Sequence, residues 1–217
     1  MPDLIIKPTA TSGNKLILKD QSGSAILTTA DSGGANMHLN SSSTFPSGHI
    51  VNRGSVQTQA LVTGTTTGPY LDDTIPQNSE GDQVLSLAFT PLSATNKLEI
   101  SIKINVGVDG GTLMGALFQD TTANALASCL NYVPTANTIY SMGFDHTMVA
   151  GTTSSTTFKV RVGTQISHTI SLNGVSGGRL HGGSCVTSMI IKEIKVSVNY
   201  LFVKRERQPY ILSKTMI

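Results

Sequence analysis

The stretch Lys97-Leu98-Glu99-Ile100-Ser101-Ile102-Lys103-Ile104-Asn105-Val106-Gly107-Val108 decides the fold class. Leu98, Ile100, Ile102, Ile104, Val106 and Val108 take every second position, and Lys97, Glu99, Ser101, Lys103 and Asn105 alternate with them. Successive side chains on a strand point to opposite faces, so this pattern predicts one long strand with a buried face and a solvated face. Most of the apolar row is β-branched, which suits a pleated surface.

The same reading spreads outward. Phe158-Lys159-Val160-Arg161-Val162 repeats the alternation, and across 139–149 Tyr140, Met142, Phe144 and Met148 share a face with His146 among them. Ile194, Val196, Val198, Tyr200 and Phe202 alternate with Lys195, Ser197 and Asn199, which predicts a last strand over 194–202. Weaker strands are expected at 54–63, 83–90, 113–119, 126–132 and 166–172. Leu172-Asn173-Gly174-Val175 predicts a type I′ hairpin turn centred on Asn-Gly, while Asp109-Gly110-Gly111 and Ala150-Gly151-Thr152 mark other turns. Closely spaced alternating strands without a helix of useful length predict an all-β, antiparallel β-sandwich of jelly-roll type, or a barrel.

Composition agrees. The 217 residues include 27 Thr and 24 Ser, and only 13% are charged, about half the usual share. That excludes long helical bundles and coiled coils, which need Ala, Glu, Lys and Leu in bulk. A hydrophobic share of 39% with net charge +2 excludes a chain too polar to fold. The longest apolar runs, such as Met189-Ile190-Ile191, fall far short of a membrane span. The start, Met1-Pro2-Asp3-Leu4-Ile5-Ile6-Lys7, lacks the features of a signal peptide. Cys129 and Cys185 make neither a disulfide scaffold nor a zinc site and read as buried free thiols. The expectation is synthesis in a cytosol.

Three segments are expected. Residues 1–48 are a β-rich stalk or attachment segment and linker: the triplets Leu4-Ile5-Ile6, Leu16-Ile17-Leu18 and Ala25-Ile26-Leu27 are separated by strong turn formers. Two or three such short strands lack a second layer. Leu4, Ile5, Ile6, Leu16, Ile17, Leu18, Ile26 and Leu27 are therefore candidate contacts to identical chains about a three-fold axis or to a partner protein. Residues 49–203 are the sandwich. Residues 204–217 are a basic tail. Residues 192–217 hold six Lys or Arg against two acids, whereas 1–191 hold nine against eleven. Lys204, Arg205 and Arg207 read as a solvated tail or as a docking arm against an acidic surface. Nucleic acid is not the expected partner, because no aromatic stacking platform accompanies these charges.

A resemblance appears at three places. Phe45-Pro46-Ser47-Gly48-His49-Ile50-Val51, Leu87-Ala88-Phe89-Thr90-Pro91-Leu92-Ser93-Ala94-Thr95-Asn96-Lys97-Leu98 and Ser188-Met189-Ile190-Ile191-Lys192-Glu193-Ile194 resemble segments of tail-fibre and other structural virion proteins from phages of cyanobacteria and other aquatic bacteria. Leu4-Ile5-Ile6-Lys7-Pro8 with Lys19-Asp20-Gln21-Ser22-Gly23 resembles the repeats that precede such domains. The resemblance covers about residues 4–196, and its most specific element is the Thr-Pro-x-Ser-x-Thr-x-Lys run leading into the long strand. It implies a homotrimeric, jelly-roll-like knob, similar in outline to the tumour-necrosis-factor fold, on a short β-rich stalk. It implies no enzymatic activity and no cofactor. The family's knob ends soon after the strand with Glu193-Ile194, whereas about twenty residues follow here.

The residues offer little chemistry. Gly182-Gly183-Ser184-Cys185-Val186 lacks the last Gly of a nucleophile elbow and a following helix. The five histidines are well separated, so no metal site is expected. Asp72-Asp73, Glu80-Gly81-Asp82 and Asp109 sit at turn signals, where carboxylates act as turn formers. Two loops read first as structural and second as candidates for contact with a host surface: the Gly-dense 173–184, a flexible connection or a contact loop with Asn173, Arg179 and His181, and Thr65-Thr66-Thr67-Gly68-Pro69-Tyr70, where Tyr70 is a partly buried anchor before it is a ring to stack on a sugar. The expected function is a non-enzymatic virion protein, a tail fibre or spike made in the bacterial host cytoplasm. Its expected partners are other copies, tail or major capsid proteins, and a host cell-surface glycan, with no membrane or nucleic acid. The alternative is a capsid decoration protein bridging capsomers.

Overall fold

The computed structural model describes residues 17–19, 21–23, 25–28, 38–39, 47–69 and 71–196. The chain divides into two units, Met1–Pro46 and Ser47–Ile217. In the first, β1 (Ile17–Lys19), β2 (Ala25–Thr28) and β3 (His38–Leu39) form an antiparallel sheet in that order. The turn between β1 and β2 closes on Gly23 at φ 85, a left-handed value that glycine adopts without strain.

The second unit is an antiparallel sandwich. Its strands are β4 (Ile50–Thr58), β5 (Val62–Gly64), β6 (Asp82–Phe89), β7 (Lys97–Val108), β8 (Gly111–Gln119) and β9 (Ala127–Val133). They continue with β10 (Thr138–Val149), β11 (Thr156–Thr164), β12 (Ile170–Leu172), β13 (Gly174–Val175), β14 (Gly178–Arg179) and β15 (Thr187–Ile194). One layer runs β4-β15-β7-β10, with β12 and β5 completing it beside the second half of β7. The other runs β6-β11-β8-β9. Successive strands thus cross between layers, as in a jelly roll. Among the described residues the only helical piece is a 3₁₀ turn, His181–Gly183.

The core lies between the layers. Leu98, Ile100, Ile102, Ile104 and Val106 of β7 are buried with Met189 and Ile191 of β15, and they form one apolar cluster with Leu113, Leu117, Phe158, Val160 and Val162. The alternation along β7 holds until Gly107, which is buried too. There β13 crosses so closely that a Cβ on Gly107 would sit 2.3 Å from the Gly174 carbonyl oxygen.

β8 breaks the one-face rule, because it is buried on both sides. Leu113 and Leu117 point into the core, while Met114, Ala116 and Phe118 form a second cluster with Ala125. The long connection from β5 to β6 is tied to this sheet. Gly68 N donates to Thr164 O (2.7 Å), Asn78 N to Ala123 O (2.8 Å) and Ala125 N to Pro76 O (2.9 Å). Arg161, reaching from β11, donates to the carbonyls of Glu80 and Gly81.

Three local expectations are corrected. The last described strand is Thr187–Ile194; of the strand expected over 194–202, Lys195 and Val196 lie past its end, and 197–202 fall outside the described residues. Its inward row is Thr187, Met189, Ile191 and Glu193, and the closing carboxylate hides the apolar register. The 54–63 strand is two strands, parted after Thr58. The type I′ turn lies at Ser176-Gly177, with φ 50 and 71, where Val175 pairs with Gly178. Asn173, also left-handed at φ 56, instead ends β12.

Candidate functional site

The first and last described residues of the sandwich lie together at one end. Gly48 N donates to Lys195 O (2.9 Å) and Lys195 N returns to His49 O (2.8 Å). The β6–β7 connection is clasped at the same end by Glu193, which is 0% exposed. Its carboxylate accepts from Leu92 N (2.9 Å), Ser93 N (3.0 Å) and the Asn96 side-chain amide (2.7 Å). Asn96, also buried, accepts at its backbone oxygen from Ala150 N and at Oδ1 from Val196 N. Two of the segments that carry the virion-protein resemblance therefore meet in one buried polar knot. A buried charge needs such partners. The knot was missed in the sequence, although its signal was there: a lone acid in the inward register of an apolar strand.

The opposite end carries the β7–β8, β9–β10, β11–β12 and β12–β15 connections. Asp109 accepts from Thr169 N (2.8 Å) and lies 3.1 Å from His168 Nδ1. The β13–β14 hairpin reaches the β9–β10 connection through Ser176 Oγ and Asn137 Oδ1, 2.7 Å apart. Arg179 and His181 are exposed here. Asn173 is not available to a ligand, which corrects its place among the surface candidates. It is 1% exposed. Its amide nitrogen donates to Thr58 O and Ala60 O, and its Oδ1 accepts from Thr187 Oγ1. The short polar side chain stabilises the left-handed backbone and holds three segments together.

A cleft opens beside β9, between it and the 69–76 segment. Its inner recess, about 120 Å³, is lined by Leu71, Asp72, Thr74, Thr112, Ser128 and Leu130 among others. A shallower recess of about 350 Å³ adjoins it and shares Asp72, Thr74, Pro76 and Ser128. Leu71, Leu130 and Tyr132 are 56%, 61% and 72% exposed. Thr112 faces Tyr132 and Met114 faces Leu130 in the β8–β9 register.

The acids at turn signals act as loop staples. Asp72 accepts from the N–H and hydroxyl of Thr74, which hold its carboxyl below the usual range. Asp120 accepts from Thr156 Oγ1 (2.6 Å) and Thr157 N (2.7 Å), with the same effect. Asp82 binds Thr66, and Glu80 accepts from Gln77 N. Among the described residues no three His, Cys, Asp or Glu side chains gather as metal ligands. Cys129 and Cys185 are free and half-buried, and burial pushes the Cys129 thiol up, away from the reactive thiolate.

The remaining candidates are partly placed. Leu18, Ile26 and Leu27 lie on β1 and β2, and Ile17 is 44% exposed on its short sheet. Leu4, Ile5, Ile6, Leu16, Tyr70, Lys204, Arg205 and Arg207 lie outside the described residues.

No protein-family model matches the chain, and no curated protein matches it. Among solved structures it is similar to the Eiger TNF from S. frugiperda, with a TM-score of 0.41 and 11% identity over 67% of this chain and 94% of that one. It is also similar to the C-terminal domain of EclA, a sugar-binding protein, with a TM-score of 0.32 and 13% identity over 66% of this chain and 86% of that one. A VP2 protein of infectious bursal disease virus, in derived T=1 particles, gives a TM-score of 0.31 and 12% identity over 71% of this chain and 39% of that one.

Proposed function

We propose that this chain is a non-enzymatic structural protein of a phage particle: a homotrimeric tail fibre or spike that is anchored through its N-terminal segment and meets the host surface with its knob. The observation that carries this reading is the polarity of the sandwich. The first and last described residues of the sandwich meet at one end, stitched by the Gly48–Lys195 and His49–Lys195 bonds, and the exposed Arg179 and His181 lie at the other. An appendage needs that division between an anchored end and a free end.

Two further observations support it. Two of the segments that resemble phage virion proteins, 87–98 and 188–194, pack together around Glu193, so this part of the resemblance falls on structural parts of the knob. The exposed Ile17 of the first unit leaves apolar surface that other copies or a virion partner would cover. The acids a glycosidase would use are tied into turns, which argues for binding and against cleavage.

Two measurements test this. Light scattering on the purified full chain is expected to give the mass of a trimer; a monomer contradicts it. Gold-labelled antibodies on intact particles are expected at the tail, and label spread over the shell would replace the fibre with a capsid decoration protein.

A further inference from the structure

The cleft beside β9 has three properties that together point to a ligand. First, it exposes large apolar side chains in one place, although a soluble surface usually scatters them. Leu71 and Leu130 wall it, and Tyr132 lies two residues from Leu130 on the same face of β9. Second, Thr112 lines the inner recess, is 3% exposed, and its hydroxyl has no hydrogen-bond partner. Buried polar groups are nearly always paired, and an exception needs a reason. Third, Asp72 lines the cleft with its carboxylate fixed: Thr74 engages Oδ1, and no partner of Oδ2 is found among the described residues.

These groups sort by chemistry. A ligand must cover apolar walls and also offer hydroxyls to a fixed carboxylate, to the Thr112 oxygen and to Ser128. Among the described residues that line the two recesses there is no Lys, Arg or His, while Asp72 and Asp73 are both present. An anionic ligand would meet like charge with nothing to offset it. A purely apolar ligand would bury the carboxylate without a partner. A sugar ring has C–H patches for Leu71, Leu130 and the Tyr132 ring, and hydroxyl edges for the three oxygens. The recess with Leu71, Leu130 and Thr112, about 120 Å³, takes only one edge of a ring, and the adjoining recess of about 350 Å³, which shares Asp72 and Ser128 with it, has room for the rest.

We propose that this cleft binds an uncharged hexose unit of a surface glycan, with Asp72 as hydroxyl acceptor, Leu71, Leu130 and Tyr132 as the apolar platform, and Thr112 and Ser128 completing the polar edge. This rests on the host-attachment reading for its biological ligand, but the site can be tested without it. Sites of this kind bind single sugars weakly and gain strength when several act together, as they would in an oligomer.

The test uses the purified full chain and a panel of methyl glycosides: glucose, galactose, mannose and N-acetylglucosamine, with glucuronic acid and N-acetylneuraminic acid as anionic members. Saturation-transfer NMR and calorimetry are expected to show at least one neutral glycoside binding with a Kd of order 1–10 mM. The two acids should not bind. Asp72→Asn, Tyr132→Ala and Ser128→Ala, all at exposed positions, are each expected to weaken binding several-fold or more at unchanged melting temperature. Each variant is read separately, so one that fails to fold leaves the others to decide. No neutral glycoside bound at about 50 mM, preference for an acidic sugar, or binding untouched by the folded variants would overturn the proposal. A tail location without saccharide binding removes this site and leaves the fibre. Saccharide binding by a protein spread over the shell removes the fibre and leaves the site.

Discussion

The side-chain amide of Asn96 donates to the carboxylate of Glu193 across 2.7 Å, and both residues are buried. That bond joins the start of the long central strand to the end of the last one. Asn96 also accepts from Ala150 N at its backbone oxygen and from Val196 N at Oδ1, so two further segments, 150 and 193–196, converge on one residue. The inward row Met189, Ile191, Glu193 is apolar until the position where loop N–H groups need an acceptor.

Removing that acceptor should be costly. Glu193→Ala leaves the N–H groups of Leu92 and Ser93 and the amide of Asn96 without their partner, and about 3 kcal/mol of stability is expected to go. Glu193→Gln should cost about 1 kcal/mol, because one oxygen accepts most of the bonds and the Gln carbonyl can replace it. Urea denaturation compares the two; an alanine variant no less stable than the glutamine variant would refute the clasp.

Asn173 and its neighbours in the Gly-dense segment should behave oppositely. Asn173→Ala strips the donors to Thr58 O and Ala60 O and puts Ala at φ 56, so a loss of about 2–4 kcal/mol is expected. Arg179→Ala and His181→Ala, at exposed positions, should stay within about 0.5 kcal/mol. Thermal unfolding of the three variants measures the contrast.

Gly107 tests the crossing of β13 over β7. An added methyl would lie 2.3 Å from the Gly174 carbonyl oxygen and 2.8 Å from Val175 Cα, both backbone atoms that cannot swing away. Gly107→Ala should destabilise by about 1–3 kcal/mol. By contrast, nothing lies within 4 Å of a Cβ at Gly178's neighbour Gly177, and only its φ of 71 opposes substitution there, so Gly177→Asn should be tolerated. Paired melting curves decide it.

Stability should fall in two acid steps. His146, on the inward row of β10, has its imidazole held below the usual value by burial. The unfolded chain then takes up the proton first, so stability present above pH of about 6.5 is lost as pH falls through the folded value. The folded Asp120 carboxyl is also lowered, first by the Thr156 hydrogen bond and then by Thr157 N. Its contribution is present above pH of about 4 and is lost as pH falls through its folded value. His146→Leu should flatten the first step and Asp120→Asn the second, as read by urea midpoints between about pH 7 and 3.

The sandwich was legible where one face alone is buried. The alternation of Leu98 to Val108 fixes both the strand and its inward side, and β10 and β11 follow the same rule. It was less legible where burial has two sides. β8 reads as a short apolar run because Met114, Ala116 and Phe118 are covered by a second cluster that period-2 reasoning does not anticipate. The inward face of β15 was misread because a charged residue, Glu193, takes an inward position and Ile194 falls on the other face. Asn173-Gly174 looks like a hairpin centre, yet Ser176-Gly177 makes the turn and Asn173 is drawn inward by carbonyls over 110 residues away. The sugar cleft was invisible for a related reason. Leu71, Asp72, Thr112 and Leu130 come from three separate stretches, and only the path of the 69–76 segment beside β9 brings them together.

As the knob of a fibre, this sandwich would be held at the end where Gly48 meets Lys195. Cryo-electron microscopy of intact particles tests it most directly. Three copies of the sandwich are expected around a tail-associated three-fold axis, with the Gly48–Lys195 end toward the particle and Arg179 and His181 facing outward. Copies arrayed over the capsid shell, or knobs turned with Arg179 and His181 buried against the particle, would contradict it.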